Sequence, residues 1–153
     1  MSSRAQHRQT IRDLSDQFTA LAYVLAGNRT HQRLAAQAGL TVDRAALAAL
    51  RALNTAPHPL RPSELAEILR VTAPHVTRQV ALLADAGLVE TARQADDQRA
   101  RRVSITDEGR AAVQRSKETA RAWLAIALDD FTDAELASAA QVIARVIDAY
   151  QEG

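Results

Sequence analysis

The stretch Thr72-Ala73-Pro74-His75-Val76-Thr77-Arg78-Gln79-Val80-Ala81-Leu82-Leu83-Ala84-Asp85-Ala86-Gly87-Leu88-Val89 decides the fold. Val76, Val80, Leu83 and the Ala84/Gly87 edge recur at helical spacing, so one face of the segment is apolar and calls for burial. Thr72 stands where its hydroxyl can cap the helix by accepting an orphan backbone N–H. Pro74 is tolerated in the first turn, because its missing N–H would have had no helical partner. Gly87 suits the left-handed position just past the helix end. The outward face of the first two turns reads Ala73, Pro74, His75, Thr77 and Arg78. Small, hydroxyl and hydrogen-bonding groups with one arginine at a helix N-terminus match the major groove of DNA.

The segments flanking this helix extend the reading. Leu88–Arg93 has strand character, and Arg102–Thr106 alternates polar and apolar residues like a second strand. The connection Gln94–Arg101 is polar and rich in arginine. On the other side, Pro62 opens a short helix, Pro62–Leu69, that buries Leu65, Ile68 and Leu69, with Arg70-Val71 as the turn. Two short helices succeeded by a basic-tipped hairpin form a winged helix-turn-helix. The predicted fold is mainly α with a small β-hairpin wing: a winged helix-turn-helix module at about 41–106 with further helices at both ends.

Thr77-Arg78, Leu82, Gly87-Leu88-Val89, Asp97-Gln98-Arg99 and Val103-Ser104-Ile105-Thr106-Asp107-Glu108-Gly109 resemble the MarR family of bacterial transcriptional regulators. Asp-x-Arg, a short strand, then Thr-x-x-Gly opening a long helix is similar to that family's wing, and the resemblance runs from about Thr10 to Tyr150. Arg61 departs from it, standing as a poor cap where the family usually has threonine or serine. The resemblance implies one domain over 1–153. It also implies a homodimer built by the terminal helices, at about 8–38 and 107–150, and double-stranded DNA as partner.

The terminal segments have the pattern such helices need. Ile11, Leu14, Phe18, Leu21 and Leu25 form a narrow apolar seam, interrupted at Gly27-Asn28 and resumed out of phase at Leu34-Ala35. The pattern predicts one helix over about 8–38, kinked or loosened at Gly27, with two separate helices as the alternative. Thr41 caps a helix over Val42–Asn54 that buries Ala46, Leu47, Leu50 and Leu53. Pro57-His58-Pro59-Leu60 is a loop. A long helix runs from Thr106 to about Asp130, and Thr132-x-x-Glu135 is a capping box for the last one. That helix lines up Leu136, Ala139, Ala140, Ile143, Val146, Ile147 and Tyr150.

Composition bounds the rest. The formal charge is only +1 over 153 residues, but it is unevenly spread. Arg93, Arg99, Arg101 and Arg102 crowd the hairpin, whereas from Asp129 onward Arg145 is the only lysine or arginine. A basic end and an acidic end suit a protein that meets phosphate on one face. The chain has no cysteine, which excludes disulfides and thiol-based oxidant sensing. No apolar run approaches a bilayer span or a signal-peptide core, which predicts a cytoplasmic protein.

Within this frame Arg78 and His75 are the candidates for base edges, since arginine binds guanine O6 and N7 bidentately. Thr72 and Thr77 suit phosphates, with Ala73 and Pro74 beside them. By the family resemblance Arg99 enters the minor groove, with Asp97 holding its guanidinium. Arg93 and Arg101, like Arg102, suit backbone phosphate or only solvent. The plain alternatives are a solvated helix face and a surface ion pair.

The resemblance also implies a small, phenolic or aromatic acid effector, for which Arg12, Tyr23, His31, Arg44, Arg115 and Trp123 offer cations and rings. Core packing for the rings and solvation for the arginines is the simpler alternative. His7, His31, His58 and His75 lack metal-ligand spacing, so neither metal nor cofactor is predicted. No nucleophile–base set, paired carboxylates or phosphate loop points to an enzyme. A regulator, most simply a repressor on a pseudo-palindromic operator, is therefore the expectation. An activator, a ligand-independent regulator and a winged helix that binds protein are the alternatives.

Overall fold

The computed structural model describes the backbone of residues 2–94 and 97–152, and the side chains there except at 2, 3, 28, 93, 94 and 97–100. The chain divides into two compact units, Met1–Thr119 and Ala120–Gly153. Before the core of the first unit come α1 (Ser2–Ala26) and α2 (Asn28–Gln37). Gly27 between them is extended, with φ −67° and ψ 133°. The seam therefore breaks into two helices rather than one loosened helix, since an extended residue cannot continue the i→i−4 ladder. Arg44 Nη1 donates to the Ala26 carbonyl at 2.8 Å, satisfying an oxygen that the break exposes.

Helix α3 (Arg44–Thr55) is the centre of the first unit's core, and its Ala46, Ala49 and Leu50 have no exposed surface. It starts later than the threonine signal predicts. Asp43, not Thr41, is the cap, accepting the Ala46 N–H at 2.7 Å. Ala35, Ala38 and Leu40 join this core from the end of α2 and the turn after it.

Helix α4 (Pro62–Leu69) buries Leu65 and Ala66 and half-buries Leu69, whereas Ile68 is 56% exposed. At about 100° per residue the arc through positions 65, 69 and 66 leaves position 68 outside it, which corrects the predicted burial of Ile68. Arg61 indeed caps poorly, having no acceptor. The reverse bond stands in for it, with the Arg61 N–H donating to Glu64 Oε2 at 2.6 Å. The turn to the next helix passes through Arg70 at φ 53°, ψ 45°, a left-handed conformation unusual outside glycine.

Helix α5 (Ala73–Asp85) ends as its sequence predicts. Gly87 adopts φ +72°. Its N–H reaches the Ala84 carbonyl and the Leu88 N–H reaches that of Leu83, both at 2.9 Å, as in a Schellman motif. Strands β1 (Val89–Gln94) and β2 (Asp97–Ile105) pair antiparallel, from Val89 opposite Ile105 to Gln94 opposite Asp97, with an irregularity after Arg93. β2 thus begins at Asp97 rather than Arg102, because backbone pairing with β1 carries the ladder through residues whose polarity reads as loop. Leu60 adds a second pairing, exchanging bonds of 3.0 and 2.7 Å with Val103, so the predicted loop also contributes a bridge to the sheet.

Helix α6 (Asp107–Ala127) is joined to the wing by Thr106. The Thr106 hydroxyl donates to the Gly87 carbonyl at 2.8 Å and accepts the Gly109 N–H at 3.0 Å. A Cβ on Gly109 would lie 2.1 Å from the Leu88 carbonyl oxygen, so glycine alone allows this approach. Farther along, Arg51 of α3 donates to the buried Ser116 hydroxyl at 2.9 Å.

The second unit holds the last turns of α6 and α7 (Asp133–Glu152). α6 stops at Ala127, short of the predicted Asp130. The capping box before α7 forms. Glu135 Oε2 accepts the Thr132 N–H at 2.9 Å and its hydroxyl at 2.7 Å, and the Glu135 N–H points back at the Thr132 oxygen at 3.4 Å. No residue of α7 is buried.

Candidate nucleic-acid interface

α5 is held from behind and open in front. Val76, Gln79, Val80 and Leu83 are buried, whereas Ala73, Pro74, Thr77 and Arg78 are exposed. Thr72 takes the cap position with extended backbone, but its side chain makes no cap bond. Its carbonyl instead accepts the N–H groups of His75 and Val76 at 3.1 and 3.2 Å. The Thr77 hydroxyl donates to the Ala73 carbonyl at 3.0 Å, so its proton is used within the helix and one acceptor lone pair remains for a ligand. His75 departs from the predicted outward face. It is half-buried and lines a small cavity behind the helix, because position 75 adjoins the buried Val76 and Gln79. Arg78 is the exposed cation of this face.

On the wing, Arg101 is exposed. Arg102 turns inward, its Nη1 donating to the Pro59 carbonyl at 2.9 Å and lying 4.0 Å from Glu64 Oε2. It fastens β2 to the start of α4, which corrects its assignment to phosphate or solvent. The Arg61 N–H holds the Glu64 carboxyl below its ordinary value, and the charges of Arg102, Arg61 and His58 add to this. The side chains of Arg93, Asp97 and Arg99 lie outside the described residues, as does the predicted Asp97–Arg99 pairing. The backbone places Arg99 within β2, beyond the turn.

The six effector candidates stand on α1, α2, α3 and α6. Arg12 is exposed on α1 and Tyr23 is 83% exposed. His31 is half-buried in α2, with its Nε2 buried and unpaired. Arg44 is engaged with Ala26, and Arg115 with Glu108 at 2.8 Å. Trp123 is 52% exposed in the second unit. Among the described residues no three His, Asp or Glu side chains converge as a metal would need, and no helix is long and apolar enough to cross a membrane.

Sequence reasoning missed Leu60, whose neighbouring prolines hide a single bridge, and Gln79, a polar residue in buried helical phase. The i, i+3 relation of Gln79 to Val76 was the signal available for the second.

Comparison with known proteins fits this geometry. Residues 38–100 match the model of the MarR family. The YusO protein of Bacillus subtilis is 25% identical with a TM-score of 0.74, the match covering 93% of this chain and 97% of that one. A MarR family protein of Bacillus stearothermophilus has a TM-score of 0.77 at 17% identity, over 94% and 97% of the two chains. FabT of Streptococcus pneumoniae, solved in complex with DNA, has a TM-score of 0.66 at 18% identity, over 95% and 98%. No curated protein matches. The stretch that matches the MarR family model spans the helix-turn-helix and most of the wing, and there the chain is similar to that family.

Proposed function

We propose that the protein is a non-catalytic, DNA-binding transcriptional regulator acting in the cytoplasm, as a homodimeric repressor on a pseudo-palindromic operator. The carrying observation is α5: anchored by four buried residues on one side, it presents Ala73, Pro74, Thr77 and Arg78 on the other. Arg78 reads a guanine, Ala73 and Pro74 meet base edges, and Thr72 and Thr77 take phosphate or base acceptor contacts. Half-buried His75 contributes from the edge of this face. The wing adds Arg93, Arg99 and Arg101, with Asp97 orienting Arg99.

The dimer reading rests on apolar surface. Ile11, Val24 and Leu25 of α1 are each more than half exposed, as are Trp123, Ile126, Ile147 and Tyr150 of the second unit. Large apolar side chains left exposed along a helix are the raw material of an interaction site. Two reading heads then address half-sites about one helical turn apart. Release by a phenolic or aromatic acid, with Arg12, Tyr23, His31, Arg44, Arg115 and Trp123 as candidates, is the finest part of the proposal. In this fold it requires the effector to bind the released state more tightly than the DNA-bound one.

The deciding experiment is fluorescence anisotropy with DNA from upstream of the protein's own gene, against scrambled DNA, over a salt series. Preference for the former, a steep salt slope, and an affinity loss of about 1–3 kcal/mol in Arg78→Ala are expected. Absence of binding to any duplex at low salt overturns the reading in favour of a winged helix that binds protein.

A further inference from the structure

Away from the reading helix, an open cleft of about 370 Å³ lies where the turn after α3, the base of the wing and the first turn of α6 meet. None of the residues proposed above for DNA or for an effector lines it. Its rim is fixed by bonds already described: Leu60 pairs with Val103, Arg102 holds the Pro59 carbonyl, and Thr106 ties the start of α6 to Gly87. Segments anchored in this way need little ordering when a ligand arrives.

The lining is mostly polar and carries charge of both signs. Glu90 of β1 and Arg110 of α6 are both exposed and both border the cleft. Glu90 Oε1 accepts the Ser104 hydroxyl of the facing strand at 3.2 Å, and Arg110 gives its Nε to Asp107 Oδ1 at 3.3 Å. Each charge is thereby steadied from one side, which leaves Glu90 Oε2 and the two Nη groups of Arg110 to a ligand. Asn54 and His58 add hydrogen-bonding groups on the α3 side.

We infer that this cleft is a binding site for a free polar amino acid, with its ammonium on Glu90 and its carboxylate on Arg110. The charges select this class. A simple anion is drawn to Arg110 but repelled by Glu90, and a simple cation meets the reverse. A molecule with both charges makes two charge-assisted bonds. Size agrees, since a cavity of about 150 Å³ holds benzene, and by proportion this cleft has room for roughly fifteen heavy atoms. The polar lining calls for a polar side chain, whose amide or hydroxyl Asn54 and His58 can meet. The site stands whether or not α5 binds DNA.

The test uses the full-length protein without DNA and three molecules of nearly equal shape. L-glutamine carries both charges, its α-amide lacks the carboxylate, and glutaramate lacks the ammonium. Titrations followed by ¹H–¹⁵N NMR should show glutamine shifting the amides of Asn54, Glu90, Ser104 and Arg110. Glutamine should bind about fivefold or more tightly than either relative, the worth of one hydrogen bond. Glu90→Gln should erase the preference over glutaramate and keep that over the α-amide, and Arg110→Gln should do the reverse. Equal affinities of the three molecules for the unaltered protein overturn the inference. So does the absence of shifts at the cleft residues up to the solubility limit of glutamine, and so does a preference that survives both substitutions. The unaltered protein decides the first two outcomes even if a variant does not fold.

Discussion

Helices α3 and α7 are written in the same way and placed in different surroundings. Each carries an apolar stripe at helical spacing with polar residues opposite. In α3 that stripe is consumed by its own chain: Ala46, Leu47, Ala49, Leu50 and Leu53 are buried against α4, α5 and β2. In α7 no residue is buried, and Ile143 and Ile147 remain 43% and 51% exposed. Periodicity therefore identifies which face of a helix wants a partner, but not whether the partner is in the same chain. For the winged module the sequence order also supplies the partner, because short turns force α3, α4 and α5 together. For α7 the apolar face is left for something else, and a second copy of the chain is our proposal.

The comparison is broken most forcefully by removing matched side chains. Leu50→Ala should destabilise the protein by about 2–5 kcal/mol, because a fully buried leucine leaves a cavity in a core with little room to collapse. That loss should be the same at every protein concentration. Ile147→Ala should cost the isolated chain only about 0.5 kcal/mol or less, as at other exposed positions. In the proposed dimer its effect should instead appear as a raised dissociation constant in sedimentation equilibrium. If Ile147→Ala leaves the oligomeric state untouched while thermal melts show a concentration-independent loss as large as that of Leu50→Ala, the α7 face is buried within one chain and the contrast fails.

A smaller effect of opposite sign is expected in the turn of the reading module. Arg70 adopts φ 53° between α4 and α5, where an L-residue is strained by about 1–2 kcal/mol. Arg70→Gly should relieve this, less the extra chain entropy glycine loses on folding, for a net stabilisation of about 1 kcal/mol or below. Chemical denaturation reads it directly. A destabilised Arg70→Gly variant would mean that the arginine side chain contributes more than its backbone costs.

The same contrast separates what the sequence makes legible from what it hides. Gly87 and the Thr106-x-x-Gly109 junction are readable because each places an uncommon backbone demand on one residue, and the structure shows both demands. The start of α3 is not, since Thr41 and Asp43 are both competent caps and only tertiary packing chooses between them. The early start of β2 is hidden for a related reason. Backbone pairing tolerates the polar residues 97–101, and a pattern of side chains does not report it. At the candidate site, the exposure of Arg78 and Thr77 agrees with helical phase. The inward turn of Arg102 has no such signal, because its partner, the Pro59 carbonyl, lies far away in sequence and is a backbone group that every loop possesses.

The smallest expected effect compares one capping device in both regions. Glu64 accepts the Arg61 N–H at the start of α4, and Glu135 accepts the Thr132 N–H at the start of α7. Each carboxyl is held below its ordinary value of 4.5, chiefly by that backbone bond, with the Thr132 hydroxyl adding to it for Glu135. A carboxyl whose pKa is lower in the folded state stabilises that state above its unfolded value. The contribution is lost as pH falls below about 4.5 and through the folded value. Both groups are exposed, so the loss at each is slight. Its location is the informative part. Amide exchange measured on either side of pH 4.5 should show the first turn of α4 and the first turn of α7 opening more readily at the acid end, after correction for the intrinsic exchange rate. Glu64→Gln should flatten the pH response of α4 alone and Glu135→Gln that of α7 alone. If α7 packs on a second chain, the Glu135 response should also grow on dilution, while that of Glu64 should not. A Glu135 response that ignores concentration would show that the cap works on a helix already held within its own chain.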